Sequence, residues 1–390
     1  MRKLLLALSI LFTIICPTLA QDVQNNLQKE LTALYSKSEL SGFAVAIVNS
    51  EKVLFKNSFG FENLASQTDF STNKRYSVAS ISKTFLGLSL MKLVESGQLE
   101  LSTPINSILP FEVVNPNHPS VEITVEHLAR HSSSLLYGEL ERKSWYVEDD
   151  INLNKKEIGK TAFRDFSAWS KNSKSELGSF LKACLTPSGS HYSKSNFSKN
   201  KPGETYEYSN LGAALAGYIV ELKTGMPYRE YVEQMVERDI GLKPGNWRST
   251  MTQAMPTSYF QKKVETPLHF PLIYPAGGLM LSCDDLSNYL MAMIQGFEGN
   301  SQILKPESFQ FMMTPSNKSN PKGGIFWELN GDKIGHNGGN YGVTCFMSFN
   351  KNTGIGKLFM ANISSYKDDS LLKKMIGIWR KLGEYESKLN

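Results

Sequence analysis

The stretch Val343-Thr344-Cys345-Phe346-Met347-Ser348-Phe349-Asn350-Lys351-Asn352-Thr353-Gly354-Ile355-Gly356-Lys357-Leu358-Phe359-Met360-Ala361 decides the fold class. Val343, Cys345, Met347 and Phe349 alternate, which lines one face of a strand because side chains of extended chain point to opposite sides in turn. Residues 350–354 read as a turn, and 357–361 as the returning strand. Far upstream, Gly42-Phe43-Ala44-Val45-Ala46-Ile47-Val48 is apolar throughout. That pattern predicts a strand covered on both faces, with Val53-Leu54-Phe55 as its hairpin partner. Val23, Leu27, Leu31 and Leu34 predict an opening amphipathic helix, and Leu372, Met375, Ile376, Trp379 and Leu382 a closing one. Between the two β-rich ends, residues 100–265 carry helical patterns and loops with few strand signals. The economical architecture is α+β, an α/β sandwich. One antiparallel sheet is built from both chain ends and flanked by helices, with a mainly helical lobe inserted. The sheet lobe spans about 21–85 and 266–390 and the helical lobe about 86–265. No internal repeat is visible.

The 390 residues are 41% hydrophobic and 20% charged, which excludes a disordered or collagen-like chain. A net charge of +5 with no basic stripe argues against nucleic acid or an acidic membrane as partner. Arg2 and Lys3 precede an apolar run over 4–15 and the small-residue site Thr18-Leu19-Ala20. This pattern predicts a signal peptide over 1–20 and export, to the periplasm or the medium. Cys16 follows Ile15, which is too large for a lipid-anchor site. No later stretch approaches the roughly 18 apolar residues of a membrane span. Cys184, Cys283 and Cys345 remain, an odd number that cannot form a complete disulfide framework, so buried thiols are expected.

Three short motifs carry chemistry. Ser80-Ile81-Ser82-Lys83 opens the helical pattern Leu86, Leu90, Leu93, Val94, which Gly97 should stop. Serine and lysine three apart share one helix face. The lysine can take the serine proton only when neutral, which requires desolvation or neighbouring positive charge. The spacing alone is weak, since it recurs at Ser89/Lys92 and Ser179/Lys182 among others. Tyr208-Ser209-Asn210 follows Pro202-Gly203 and opens a helix over 211–222. A phenol can relay a proton, and an amide can bind both a lysine and a substrate carbonyl. Alone it reads as a helix cap beside a core tyrosine. His336-Asn337-Gly338-Gly339 stands at the start of the C-terminal strands, where two glycines would let a substrate backbone come close. Alone it reads as a glycine-rich turn. Lys223-Thr224-Gly225 is read as a helix stop.

These motifs, in this order, resemble the serine β-lactamase and penicillin-recognising superfamily, and within it the class C β-lactamase-like hydrolases. The segment Ile123-Thr124-Val125-Glu126-His127-Leu128-Ala129-Arg130-His131-Ser132-Ser133-Ser134-Leu135 is similar to a family segment with glycine where Ser134 stands. Residues 202–225 and 275–290 also look like family blocks, whereas 138–200 is least similar. The resemblance implies an acyl-enzyme on Ser80, with Lys83 and Tyr208 sharing general-base and general-acid work in an order left open. It implies that Asn210 holds Lys83 and the substrate, and that His336, Gly338 and Gly339 bind substrate. The backbone N–H groups of Ser80 and Gly339 would form the oxyanion hole. No metal or other cofactor is implied.

His336 replaces a lysine common in β-lactamases, and a histidine is cationic only when protonated, so activity should respond to pH near its titration. The expected partner is a small-molecule or peptide acyl substrate, foremost an ester or small amide. A D-alanyl-D-alanine carboxypeptidase, a D-aminopeptidase or a β-lactamase is the alternative, and a penicillin-binding sensor or structural homologue the non-enzymatic one. No Gly-x-Ser-x-Gly elbow supports an α/β-hydrolase. Residues 138–201 are too long and polar for a plain connector. They are expected to shape the substrate entrance or to form a solvated loop, as 188–201 reads most directly.

Overall fold

The computed structural model describes residues 21–148, 153–242, 247, 255–260, 263–315, 320–365 and 368–389. The predicted export segment 1–20 lies outside them. A helix α1 (21–35) leads into β1 (Gly42–Val48), β2 (Val53–Asn63), β3 (Thr68–Asp69) and β4 (Tyr76–Ser77). The middle of the chain holds α2 (Ser82–Glu95), α3 (Val125–Ala129), β5 (Trp145–Tyr146), α4 (Lys155–Ile158), α5 (Lys160–Trp169), α6 (Leu177–Leu185), α7 (Asn210–Thr224) and α8 (Tyr228–Ile240). Then come β6 (Phe270–Pro271), β7 (Met280–Leu281), α9 (Cys283–Phe297), α10 (Pro306–Met312), β8 (Glu328–Asn330), β9 (Lys333–Asn340), β10 (Val343–Asn350), β11 (Ile355–Ala361) and α11 (Asp369–Leu389).

The main sheet runs β3-β2-β1-β11-β10-β9-β8 and is antiparallel throughout, so the two chain ends meet at β1 and β11. Phe43 opposes Ala361 and Val48 opposes Gly356. All seven residues of β1 are buried, as its unbroken apolar run predicts. Ala44, Ala46 and Val48 join the larger core with α2 and α9, while Phe43, Val45 and Ile47 face a second core with Leu27, Leu31, Met375, Ile378 and Leu382. The period of two thus divides one strand between two helical layers. On β10, Val343, Cys345, Met347 and Phe349 enter the larger core as their alternation predicts. Phe346 turns the other way, onto Phe359 and Trp379. β2 runs past the predicted Val53-Leu54-Phe55 to Asn63, with a register irregularity opposite Ile47 and Val48.

α2 is buried on nearly every side, Ser82, Lys83, Thr84 and Ser89 included, which marks it as the core helix. Thr84 and Ser89 donate to the Ile81 and Phe85 carbonyls, so their hydroxyls are satisfied. Gly97 follows α2 at φ +70°, and Gly225 caps α7 at φ +70°, so Lys223-Thr224-Gly225 is a helix stop. The Ser-, Asn- and Lys-rich 188–201 departs from a solvated loop at its centre. Asn196, Phe197 and Ser198 are buried, and this strip pairs with the chain at 134–136 through Leu136 N–H to Asn196 O and Ser198 N–H to Ser134 O, both 2.8 Å. Cys184, Cys283 and Cys345 are free, buried thiols. Among the described residues no helix is long and apolar enough to cross a membrane.

Candidate active site

Ser80 lies in the 3-10 turn Ala79–Ile81 between β4 and α2. Ala79 has φ +45°, a left-handed conformation that costs a side chain about 1–2 kcal/mol. The strain is held in place from both sides. Ala79 N–H donates to Ser77 Oγ at 3.2 Å, and Ser82 Oγ donates to Ala79 O at 2.6 Å. Leu279 N–H donates to Ser82 Oγ at 3.2 Å, and Val78 N–H donates to Leu279 O at 3.0 Å. Strand β9 presses on the same turn. A Cβ on Gly338 would stand 2.3 Å from Val78 O, so only glycine admits this approach, whereas one on Gly339 would meet nothing within 4 Å. The His336-Asn337-Gly338-Gly339 motif therefore lies inside a strand, not in a turn before it, and Gly338 serves the packing of the Ser80 turn.

Lys83 follows one turn along and is fully buried. Its Nζ donates to Ser80 Oγ at 3.1 Å and to Ala276 O at 2.6 Å, and lies 5.0 Å from the centre of the Tyr208 ring. Burial pushes its pKa down to about 7, with the Glu328 carboxylate pulling the other way. Much of the lysine is then neutral near pH 7, the state in which it can accept a proton. Tyr208 precedes Ser209, which caps α7 by accepting from Gly212 N–H at 2.9 Å. Desolvation by the surrounding protein holds the Tyr208 phenol above the usual tyrosine range, with the nearby Ser80 hydroxyl pulling the other way. It is a neutral proton donor, not a phenolate. Asn210 lines the same cavity, but the partners of Lys83 are Ser80 and the Ala276 carbonyl, which takes the place the resemblance gave to Asn210.

His336 comes near the cluster without lining the cavity. It is 3% exposed, with its ring centre 6.1 Å from that of Tyr208. Its Nδ1 lies 2.7 Å from Asn337 O, and a carbonyl only accepts, so Nδ1 carries the proton. Nε2 lies 3.9 Å from Glu328 Oε1 and has no hydrogen-bond partner among the described residues. Burial, aided by Lys83, lowers its pKa to about 3, so the ring is neutral. Sequence reasoning quoted His131 without giving it a role. It is buried at φ +53°, accepts from Ser209 N–H at 3.2 Å, and its ring centre stands 4.5 Å from that of Tyr208. Burial holds it well below the usual histidine range. Ser134, where the family segment has glycine, takes φ +61° and receives Asn115 Nδ2 at 2.9 Å.

Ser80, Tyr208, Asn210 and Gly339 line a cavity of about 360 Å³. Tyr137, Glu141, Trp145 and Ile273, which no motif announced, line the same cavity. Among the described residues, no group of three or more His, Cys, Asp or Glu side chains is placed to hold a metal ion. The site thus gathers a hydroxyl, a desolvated amine and a neutral phenol at the rim of a pocket, the parts of an acyl-transfer centre.

A family model described as Beta-lactamase matches residues 23–374. The chain belongs to the beta-lactamase family. Members of this family are serine hydrolases, and the α+β architecture with its antiparallel sheet matches the expectation from sequence. A curated relative, protein flp of Staphylococcus aureus (strain N315), is 22% identical over 364 residues, covering 89% of this chain and 64% of its own length. The chain thus spans somewhat under two thirds of that relative. Among solved structures, an octameric penicillin-binding protein homologue from Pyrococcus abyssi aligns with TM-score 0.67 and 22% identity, over 92% of this chain and 77% of its own. A class C beta-lactamase aligns with TM-score 0.63 and 17% identity, over 93% and 96%. At these identities the structural likeness is one of fold.

Proposed function

We propose that this beta-lactamase-family protein is an exported hydrolase that cleaves an ester or small amide through an acyl-enzyme on Ser80. The observation that carries the reading is Ser80 Oγ held 3.1 Å from a buried Lys83 amine, in a cavity that Tyr208 also lines. Neutral Lys83 takes the Ser80 proton as Oγ bonds to the substrate carbonyl carbon. Tyr208 gives its proton to the leaving oxygen or nitrogen as that bond breaks, and regains one from Lys83. With a lysine lowered to about 7 and a phenol raised, Lys83 is the better first base. The Ser80 and Gly339 N–H groups stabilise the oxyanion, worth about 3 kcal/mol per donor. Asn210 orients the acyl group, Gly338 lets β9 reach the site, and His336 backs Tyr208 as a neutral ring. Water then releases the acyl group by the reverse proton path.

A neutral His336 offers no cation to a β-lactam or to a peptide carboxylate, which supports esters and small amides ahead of β-lactams and D-alanyl-D-alanine peptides. The test incubates the protein with a chromogenic ester, a D-alanyl-D-alanine peptide and a chromogenic cephalosporin and weighs the intact chain. Ester turnover with a transient adduct that Ser80→Ala abolishes is expected. A stable cephalosporoyl adduct without turnover would instead make it a penicillin-binding sensor.

A further inference from the structure

We infer that a basic cleft on the segment 139–172, separate from the Ser80 cavity, binds a free, extended polyanion rich in phosphate groups. The cleft has a volume of about 710 Å³ and is lined by Arg142, Lys143, Lys155, Lys160, Arg164 and Lys171. Glu139 is the one acid among its described lining residues. The cations are spread over 142–171, so they form no stripe in the sequence and only the fold gathers them. Two of the six are already paired. Arg142 donates to Glu139 at 2.9 Å and to Asp165 at 3.1 Å, and Arg164 Nε lies 3.7 Å from the same buried Asp165. The other four, Lys143, Lys155, Lys160 and Lys171, are exposed and make no ion pair among the described residues. Two carboxylates thus answer six cations, and four positive charges are left around one hollow.

An ordinary solvated helix face mixes charges of both signs. The outer face of α5 does not. Lys160, Phe163, Arg164 and Ser167 line the cleft at the three-to-four spacing of one helix face, and Lys171 follows just past the helix end. The acid of α5, Asp165, is buried on the other side with Ala162, Phe166 and Trp169, where Tyr341 Oη donates to it at 2.9 Å. Lys160 opens the helix, whose first turn holds no acid and no side-chain cap. A cation there stands where the peptide dipoles already present positive charge, which is unfavourable in the free protein and favourable beside an anion. The ten residues of α5 span about 15 Å, with cations at the start, in the middle and just past the end, so the cleft suits a chain more than a single ion. The unpaired cations are all lysines, point charges that take phosphate without the planar fork that favours carboxylate. Phe163 is the one aromatic ring among the described lining residues, which leaves nucleic-acid bases little to stack on. A hollow also presents its charges poorly to a bilayer surface. The walls are tied together, since Arg142 reaches α5 through Asp165 and Asn172 Nδ2 donates at 2.7 Å to both the Arg142 and the Trp145 carbonyls. A cleft so braced needs little ordering when a ligand arrives. None of this requires Ser80 to be a nucleophile.

The test is a calorimetric titration of the full-length protein at neutral pH with short-chain inorganic polyphosphate, at low and at physiological salt. Saturable binding is expected, weakening about tenfold or more between the two salt conditions as counterions compete for the lysines. Polyglutamate of matched length should bind more weakly. The pair Lys155→Glu and Lys160→Glu is expected to cost at least about tenfold in affinity for polyphosphate. The pair Lys29→Glu and Lys37→Glu changes the net charge equally at exposed positions outside the cleft and should cost less than about threefold. Four results overturn the inference. They are no saturable binding by wild type at about 1 mM polyphosphate, equal losses in the two paired variants, equal binding of polyglutamate, or tighter binding of a single-stranded oligonucleotide or of phosphatidylglycerol vesicles than of polyphosphate. All but the second are read on the wild-type protein, so a misfolded substitution does not shield the idea. Polyphosphate binding by a protein that never acylates would overturn the hydrolase reading and leave this one standing.

Discussion

At the scale of single residues, the charge on Lys83 sets two measurable slopes. Below about 7 the buried amine is protonated and cannot take the Ser80 proton, so kcat/KM is expected to fall about tenfold per pH unit on that side. The Glu328 carboxylate stabilises the ammonium, so Glu328→Gln is expected to move this limb to lower pH, and a limb that stays put would free Lys83 from Glu328. His336, lowered to about 3, stays neutral from pH 5 to 8, so the pH response expected from an ordinary histidine passes to Lys83. The same burial bears on stability. Between about 7 and the ordinary lysine value of 10.5 the unfolded chain holds a proton at Lys83 that the native state lacks, so this contribution makes the fold more stable as pH rises. Lys83→Met removes that dependence. Urea denaturation should find the variant more stable than wild type at pH 7 by about 2 kcal/mol, with the gap closing toward pH 10.

At the scale of elements, the approach of β9 to the Ser80 turn is the most exacting contact. Gly338→Ala places a methyl 2.3 Å from a backbone oxygen that cannot swing away, so strand or turn must move. A loss of about 1–3 kcal/mol is expected in thermal unfolding, with a fall in kcat larger than any rise in KM because Ser80 shifts. Gly339→Ala, which meets open space, should unfold like wild type. Sequence made this geometry half legible. The Ser80–Lys83 spacing, the alternation along β10 and the glycines past α2 and α7 are local patterns, and each was readable as such. The φ of Ala79, the Ala276 carbonyl on Lys83 and the burial of 196–198 are not. Backbone atoms have no letter in the sequence, and tertiary pairing overrode the polar composition of that loop. Glu141 and Trp145 were hidden for a related reason: neither belongs to a motif, and only the folded chain brings them to the cavity that Ser80 lines.

At the scale of the molecule, the sheet separates chemistry from support. The Ser80 turn, with Val78, Ala79 and Ile81, packs into the core on one face. The other face rests on α1 and α11, so the first and last described helices close the fold together against the sheet that the β patterns at both chain ends led one to expect. Glu30 joins the two helices through Lys381 at 2.7 Å and Tyr385 Oη at 2.6 Å. Exposed pairs of this kind contribute about 0–1 kcal/mol, so the apolar contacts decide whether α11 stays docked. Ile378 is fully buried there, among Phe43, Val45, Phe359 and Leu382. Ile378→Ala is expected to lower unfolding free energy by about 2–5 kcal/mol, several times the effect of Glu30→Ala. Because the intervening sheet is rigidly paired, kcat/KM per folded molecule and the acid limb near pH 7 should not change. A shifted limb in Ile378→Ala would mean that the second core reaches Lys83 through the strands, and the division of labour between the two faces would have to be abandoned.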